Sequence, residues 1–471
     1  MKFINREKEL EYLNEAKSLS HSKLYTISLH GLRRVGKTRL ILEFLNNKGL
    51  YLFVNKDKTS ESLLREYEDA LRSIGVIKDL ESIKDWETFF RILFERGTGA
   101  FVFDEFQNFS YVERSVFGIL QKHIDLNEDK KDLLLLFCGS TIGLMKRLFA
   151  DAKEPLYGRM KRQIYLKPLT FSNTVKICKE LNIKDISEVI ELYAIFGGFP
   201  RYYVAIEDEN LAGKPSKDIL EKFFFAENAI FEHEVAEVLS LEFGKRSGLY
   251  YDILTAIANG GTRISEIASF LEKKETVITR QINELVHYFD IVSAEKQAVG
   301  NKKNLFINHS LLNFWFKIFY KRFSAYKRRD KQAIKKIKED INSHIGRQFE
   351  EVCKEYLKEL NNKKKLFFSY ENIGKQWGKM HSKPKDKNQY EVDIVALNEE
   401  TKEILFGECK WQEKVNASKV LNDLKEKSKY VEWHNEGRKE YFVVFAKNFK
   451  EKIKEKNTYL FDLKDMKMAF E

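Results

Sequence analysis

Strands and helices alternate along the first part of the chain. Leu24-Tyr25-Thr26-Ile27-Ser28-Leu29-His30 is β-branched and apolar, and Arg39-Leu40-Ile41-Leu42-Glu43-Phe44-Leu45 follows with apolar residues at helical spacing. Three more runs, residues 49–55, 99–105 and 133–140, have the near-continuous hydrophobicity of strands buried on both faces of a parallel sheet. Between them helical periodicity passes through Leu63, Leu64 and Leu71, then Trp86, Phe89, Phe90, Leu93 and Phe94, then Val116, Phe117, Ile119 and Leu120. That rotation, up to residue 168, predicts a doubly wound α/β sheet.

The pattern then changes. Residues 169–243 keep helical spacing without strands, and Gly197-Gly198-Phe199-Pro200 is the one clear break. Residues 244–310 predict three helices and a β-hairpin with Gly300-Asn301-Lys302-Lys303 at its tip, the plan of a winged helix-turn-helix. Residues 311–340 predict an aromatic helix (Phe314, Trp315, Phe316, Phe319, Tyr320) running into a charge-dense hinge. Residues 341–471 read helix, strands, helix, strand. The expected whole is a multi-domain α/β protein.

At 471 residues, with 43% hydrophobic content and 37 Phe, the chain is too long for one core and rich enough to fill several. No apolar run reaches the roughly 18 residues of a membrane span, and Met1-Lys2-Phe3-Ile4-Asn5-Arg6 lacks a secretory hydrophobic stretch. The four cysteines (Cys138, Cys178, Cys353, Cys409) lie far apart with no metal spacing, which suits a reducing compartment. A cytoplasmic protein with no membrane partner is expected. A net charge of +11 favours polyanions.

Chemistry begins where the first strand ends. Gly31-Leu32-Arg33-Arg34-Val35-Gly36-Lys37-Thr38 matches GxxxxGK[ST] at every fixed position, between a strand and a helix. Gly31 and Gly36 permit the turns that aim consecutive N–H groups at one anion, and the helix N-terminus adds partial positive charge. Lys37 would reach the β- and γ-phosphates and Thr38 would offer its hydroxyl to Mg²⁺; Arg34 and Arg39 stand within and just past the loop. ATP with Mg²⁺ is the expected ligand. Asp104 and Glu105 close an apolar strand in Walker B form. Asp104 would hold Mg²⁺ through water, and Glu105 would orient or deprotonate the attacking water. Ser140 or Thr141 is placed to sense the γ-phosphate or to cap the next helix, and Arg159 could approach the transferring phosphate as a charge-neutralising finger.

Phe3-Ile4-Asn5-Arg6-Glu7-Lys8-Glu9-Leu10, the phosphate loop, Phe103-Asp104-Glu105, Gly139-Ser140-Thr141, Leu156-Tyr157-Gly158-Arg159 and Gly198-Phe199-Pro200 together resemble the archaeal ATPase family, over roughly residues 1–323. That family belongs to the signal-transduction ATPases with numerous domains, relatives of the AAA+ proteins. The resemblance implies a P-loop ATPase core (residues 1–168) and a helical lid (169–243). It also implies that Asn5, Arg6 and Glu7 lie near the adenine and that Gly198-Phe199-Pro200, in the lid, touches the nucleotide. In the winged-helix segment, Arg280, Gln281 and Asn283 suit base edges, and Lys302 and Lys303 suit phosphates. Glu272, Glu275 and Glu284 would oppose a duplex, so this module could equally be internal packing.

The C-terminal block holds a second constellation. Tyr390 to Ala396 alternates acidic and apolar residues, and Ile404 to Trp411 reads as its hairpin partner. Period-two alternation puts Glu408 and Lys410 on one strand face, where pairing can bring Asp393 opposite, and Glu350 sits on an upstream helix. This resembles the PD-(D/E)xK restriction-endonuclease-like nucleases over roughly residues 341–461, with Val392 in place of the proline that can precede the first acid. The resemblance implies Mg²⁺ or Mn²⁺ held by Glu350, Asp393 and Glu408, with Lys410 as a catalytic lysine. A cross-strand salt bridge is the plainer account of the same residues. The expected function is a slowly hydrolysing switch ATPase acting on DNA and coupled to a nuclease-like tail. The alternatives are a nucleotide-dependent scaffold with an inactive tail, and a DNA-binding regulator that uses ATP only to change shape. A homo-oligomer or a protein partner fits each.

Overall fold

The computed structural model describes residues 3–243, 248–380, 384 and 388–470. They group into two compact units, one of residues 1–169, 199–204 and 287–290, the other of residues 170–198, 205–286 and 291–471.

The first unit is built on five parallel strands: β1 (Tyr25–His30), β2 (Gly49–Phe53), β3 (Gly99–Asp104), β4 (Leu133–Gly139) and β5 (Arg162–Tyr165). Their order is β2-β3-β4-β1-β5, so the phosphate-loop strand sits between β4 and β5. Alternation sends Leu50, Leu52, Phe101, Phe103, Leu133, Leu135 and Phe137 into one core and Ile27, Leu29, Val102, Leu134 and Leu136 into the other. Helices Glu7–Ser20 and Lys37–Leu45 cover the second face; Ser60–Ser73, Trp86–Arg96 and Ser115–Leu126 cover the first. The apolar runs of β1, β3 and β4 were legible because both faces are buried, whereas β2, at the sheet edge, leaves Phe53 exposed. β5 carries no such run: its four residues are at most half-buried.

The second unit begins with helices Phe171–Glu180 and Ile186–Phe196. The helices Gly248–Ala258, Ile264–Phe270 and Glu275–Asn283 precede an antiparallel hairpin, β6 (Val292–Lys296) and β7 (Lys303–Ile307). The expected boundary at 243/244 adjoins residues 244–247, outside the described residues. The expected hinge at residues 327–338 is corrected: Lys331–Asn362 is one helix of 32 residues, which runs through the boundary placed at 340/341. Asp330 caps it by accepting from the Ala333 N–H at 2.8 Å, and Ile337, His344, Ile345, Phe349, Val352 and Cys353 form its buried stripe. The lysines read as a break are helix formers on its solvent side.

This helix leads into a mixed sheet. β8 (Asn372–Lys379), β9 (Gln389–Asn398) and β10 (Glu403–Lys410) are successive antiparallel strands. A short pair, β11 (Val415–Asn416) and β13 (Phe449–Glu451), flanks the helix Ala417–Ser428 and strand β12 (Lys439–Ala446), and β14 (Thr458–Phe461) comes last. β12 runs parallel to β10 and β14 parallel to β12, giving the order β14-β12-β10-β9-β8. No helix among the described residues is long and apolar enough to cross a membrane.

Candidate functional site

At the C-terminal edge of the first sheet the loop after β1 folds tightly. A side chain at Gly31 would collide with the Leu166 carbonyl, and Gly36 takes φ 96° at the start of the helix Lys37–Leu45. Arg34 is also left-handed, at φ 66°. Lys37 is buried, and its Nζ donates to the Gly31 and Leu32 carbonyls at 2.8 and 3.1 Å, which holds the ammonium inside the loop. Thr38 Oγ1 donates to Asp104 Oδ2 at 3.0 Å, joining the loop to the end of β3. These two oxygens suit a hard divalent cation such as Mg²⁺.

Glu105 stands beside them in a left-handed conformation, φ 53°. Ser140 Oγ lies 2.7 Å from both of its carboxylate oxygens, and Gln107 Nε2 donates to one of them. The carboxylate is thus tied to the end of β4. Arg6 does not project freely: it donates to the Val35 and Lys167 carbonyls at 3.2 and 2.8 Å and pairs with Glu9 at 2.9 Å. Burial lowers its pKa and Glu9 offsets that. Asn5, buried beside it, has φ 59°. A Cβ at Gly36 would come within 3.8 Å of Pro200 Cγ, so Pro200 adjoins the phosphate loop. Arg39 lies exposed beyond the loop, 3.6 Å from Glu43.

In the second unit, β9 and β10 bring the acidic residues together. Gly407 pairs with Ile394, and the Cys409 N–H donates to Asp393 Oδ2 at 2.8 Å. Burial, then the Glu350 and Glu408 carboxylates, push the Asp393 carboxyl up to about 8. Glu408 is buried and receives Lys410 at 2.7 Å and Lys427, from the helix Ala417–Ser428, at 2.9 and 3.0 Å. Burial works against the charge on Lys410, and Glu408 more than restores it. Lys375 sits at a register shift in β8 and pairs with Glu350; burial raises the Glu350 pKa against that pairing.

The three-carboxylate ligand set is therefore corrected. Glu350 is held by Lys375, and among the described residues no group of three or more His, Cys, Asp or Glu could hold a metal ion. Asp393 and Glu408 remain as neighbouring acids.

Residues 3–206 match an ATPase domain predominantly from Archaea, and residues 315–421 match a domain of archaeal and bacterial proteins of unknown function. The uncharacterised protein MJECL04 of Methanocaldococcus jannaschii is 30% identical over 472 residues, 98% of this chain and 99% of that protein. This chain belongs to the archaeal ATPase family. A second protein of that organism, the uncharacterised ATP-binding protein MJ0423, is 50% identical over 46 residues, 10% of this chain and 75% of its own. The Walker-type ATPase of Pyrococcus abyssi matches in fold, with TM-score 0.54 and 22% identity over 67% of this chain and 96% of that one.

In this archaeal ATPase Arg159 is held away from its own phosphate loop. Its guanidinium grips Asp125 with two bonds of 2.8 Å, and its carbonyl accepts from Thr26 at the start of β1. It therefore lies at the sheet edge opposite its own phosphate loop. In the helix–hairpin module Arg280 is exposed and pairs with Glu284 at 3.0 Å, Asn283 is exposed and Gln281 half-buried. The hairpin tip is bonded to β8, Ala298 N–H to the Lys375 carbonyl at 2.8 Å and Val299 N–H to Gln376 Oε1 at 2.9 Å, while Lys302 and Lys303 stay exposed. In the lysine-rich stretch before β9, Lys375 and Lys379 are on β8, and Lys383, Lys385 and Lys387 lie outside the described residues.

Sequence reasoning missed Tyr51, Gln107 and Lys427. Tyr51 donates its hydroxyl to Asp104 Oδ2 at 2.7 Å, and burial with Asp104 nearby raises its own pKa. Only the neighbouring of β2 and β3 brings the two together. Gln107, two residues after Glu105, was the one with a local signal.

Proposed function

We propose that this archaeal ATPase is an ATP-driven switch acting on DNA, with a metal-dependent nuclease-like domain in its second unit. The observation that carries the ATPase half is Asp104, whose Oδ2 gathers the Thr38 and Tyr51 hydroxyls beside the Lys37 loop. In this reading Thr38 and Asp104 hold Mg²⁺, which shields the phosphate charge. Lys37 leaves its loop carbonyls for the β- and γ-phosphates. Glu105 takes the proton of the attacking water, and Ser140 reports the γ-phosphate to it. Arg159 acts on phosphate from a second copy of the chain, because it faces away from its own.

The nuclease-like half is supported by order and convergence. A helix with Glu350, three antiparallel strands, a helix and a strand parallel to the third is the sequence of elements, and Asp393, Glu408 and Lys410 meet on the second and third strands. The raised Asp393 pKa reports carboxylates that a cation would relieve. Asp393 and Glu408 would hold Mg²⁺ or Mn²⁺, which would polarise the scissile phosphate and activate a water. Lys410 would neutralise charge developing on the phosphate.

Incubating DNA with the protein and Mg²⁺ or Mn²⁺, with and without ATP, tests this. Cleavage by wild type and none by Asp393→Ala is expected. A second reading, an ATP-dependent scaffold with an inactive tail, draws on the lysines that neutralise Glu350 and Glu408. It gains if wild type cuts nothing under any condition.

A further inference from the structure

Three cations of the second unit take no part in the chemistry above. Lys317 lies in the short turn Trp315–Phe319, which packs on the long helix; Lys321 follows four residues later. Arg347 stands on the long helix three residues before Glu350, a rise of about 4.5 Å. Lys317 is half-buried, and burial, then Arg347, with Lys321 adding to it, lower its ammonium to about 8. The same two cations, Lys317 and Arg347, act on His344, one turn before Arg347, which burial above all lowers to about 3.

Among the described residues, the side chains of Lys317, Lys321 and Arg347 have no hydrogen bond or ion pair. The carboxylates nearest Lys317 are already engaged: Glu350 by Lys375, and Asp340 by Arg322 at 2.9 Å and Lys336 at 3.8 Å. Some other cations along the same helix are paired, as Lys354 is with Glu351 at 2.8 Å and Glu295 at 3.0 Å. Gathering like charges around a half-buried ammonium costs stability unless an anion offsets it.

We infer that Lys317, Lys321 and Arg347 form a backbone-phosphate subsite for a nucleic-acid strand, with Arg347 one helical turn along the long helix from Glu350. It rests on the nuclease-like reading of that site, and names its substrate as a polyanion held at more than one phosphate. A free phosphate would occupy either place alone. A strand that presents one phosphate to Asp393, Glu408 and Lys410 lays a neighbouring one along the Arg347 face of the helix.

The test is binding in the absence of divalent metal. A short labelled DNA strand is titrated with the full chain in EDTA, without ATP, over a series of salt concentrations. The double substitution Lys317→Gln with Arg347→Gln should weaken binding roughly tenfold or more. It should also flatten the slope of log affinity against log salt by about 0.7–0.9 for each phosphate that is no longer neutralised. Arg347→Gln alone, at an exposed position, guards against loss of folding and should flatten the slope by a smaller amount; Lys317→Arg with Arg347→Lys should restore it. Equal affinity and slope in wild type and the double variant would overturn the inference, as would a wild type that binds no nucleic acid. A flattened slope in a protein that never cuts DNA would leave the subsite standing and remove the nuclease reading instead.

Discussion

Lys37 is buried; burial depresses its ammonium, while Cys138, Glu105 and Asp104 hold it up. Its partners are two loop carbonyls, which a β/γ-phosphate outcompetes as a charged acceptor. Lys37→Ala should weaken ATP binding by about 100-fold, ~2.7 kcal/mol, with the thermal melt of the protein retained. Titration with labelled ATP reads this directly, and wild-type affinity in the variant would remove Lys37 from the site. Glu105→Gln keeps the shape and the Ser140 contact but cannot accept a proton. ATP binding should persist while turnover falls by about 10²–10⁴. Asp393 behaves in the opposite sense to a salt-bridged acid. Its folded pKa is about 8, above the ordinary carboxylate value, so the folded state binds the extra proton. Its contribution is most favourable below pH ~4 and is lost as pH rises from there toward 8. Asp393→Asn, which keeps an oxygen for the Cys409 N–H, should therefore raise the melting temperature at pH 8–9 by about 2–4 °C in metal-free buffer and have little effect near pH 4. Equal shifts at both pH values would show that charge is not the cause.

At the scale of elements, the features that could be read were those whose residues carry their own signal. β1, its loop and the following helix were legible because strand hydrophobicity, two glycines and helical spacing follow one another within residues 24–45. β9 was legible because apolar and acidic residues alternate, and β10 because its apolar run Ile404-Leu405-Phe406 follows after a short turn. β8 was not: Asn372-Ile373-Gly374-Lys375-Gln376-Trp377-Gly378-Lys379 carries two glycines and two lysines, and it becomes a strand by pairing with β9. The bonds made by Tyr51 and Lys427 were invisible for the same reason, since each depends on which element lies alongside. The supposed hinge failed differently. Charge density suggests a break, but Lys331 to Lys338 follows a capping Asp330 and keeps an apolar stripe. Asp330→Ala should cost about 1 kcal/mol of stability in urea denaturation, because the Ala333 N–H would then have no capping carboxylate. A hinge at that position would make the substitution neutral.

At the scale of the whole molecule, the position of Arg159 bears on how many chains one hydrolysis event needs. The phosphate loop leaves the C-terminal end of β1, and Arg159 is bonded through its carbonyl to Thr26 at the other end. A strand of six residues spans about 20 Å, far more than an arginine side chain reaches. Arg159 can therefore approach phosphate only in another copy, giving up Asp125 for a stronger, more highly charged acceptor. Turnover per chain should then rise with protein concentration, and Arg159→Ala should abolish the rise while leaving ATP affinity unchanged. Mixing Lys37→Ala chains with Arg159→Ala chains supplies what each lacks: the first offers an intact Arg159, the second an intact phosphate loop. Activity in the mixture above the sum of the separate variants is the expected result. An Arg159→Ala protein with wild-type turnover at every concentration would return this arginine to its structural role, clasping Asp125 at the edge of the sheet.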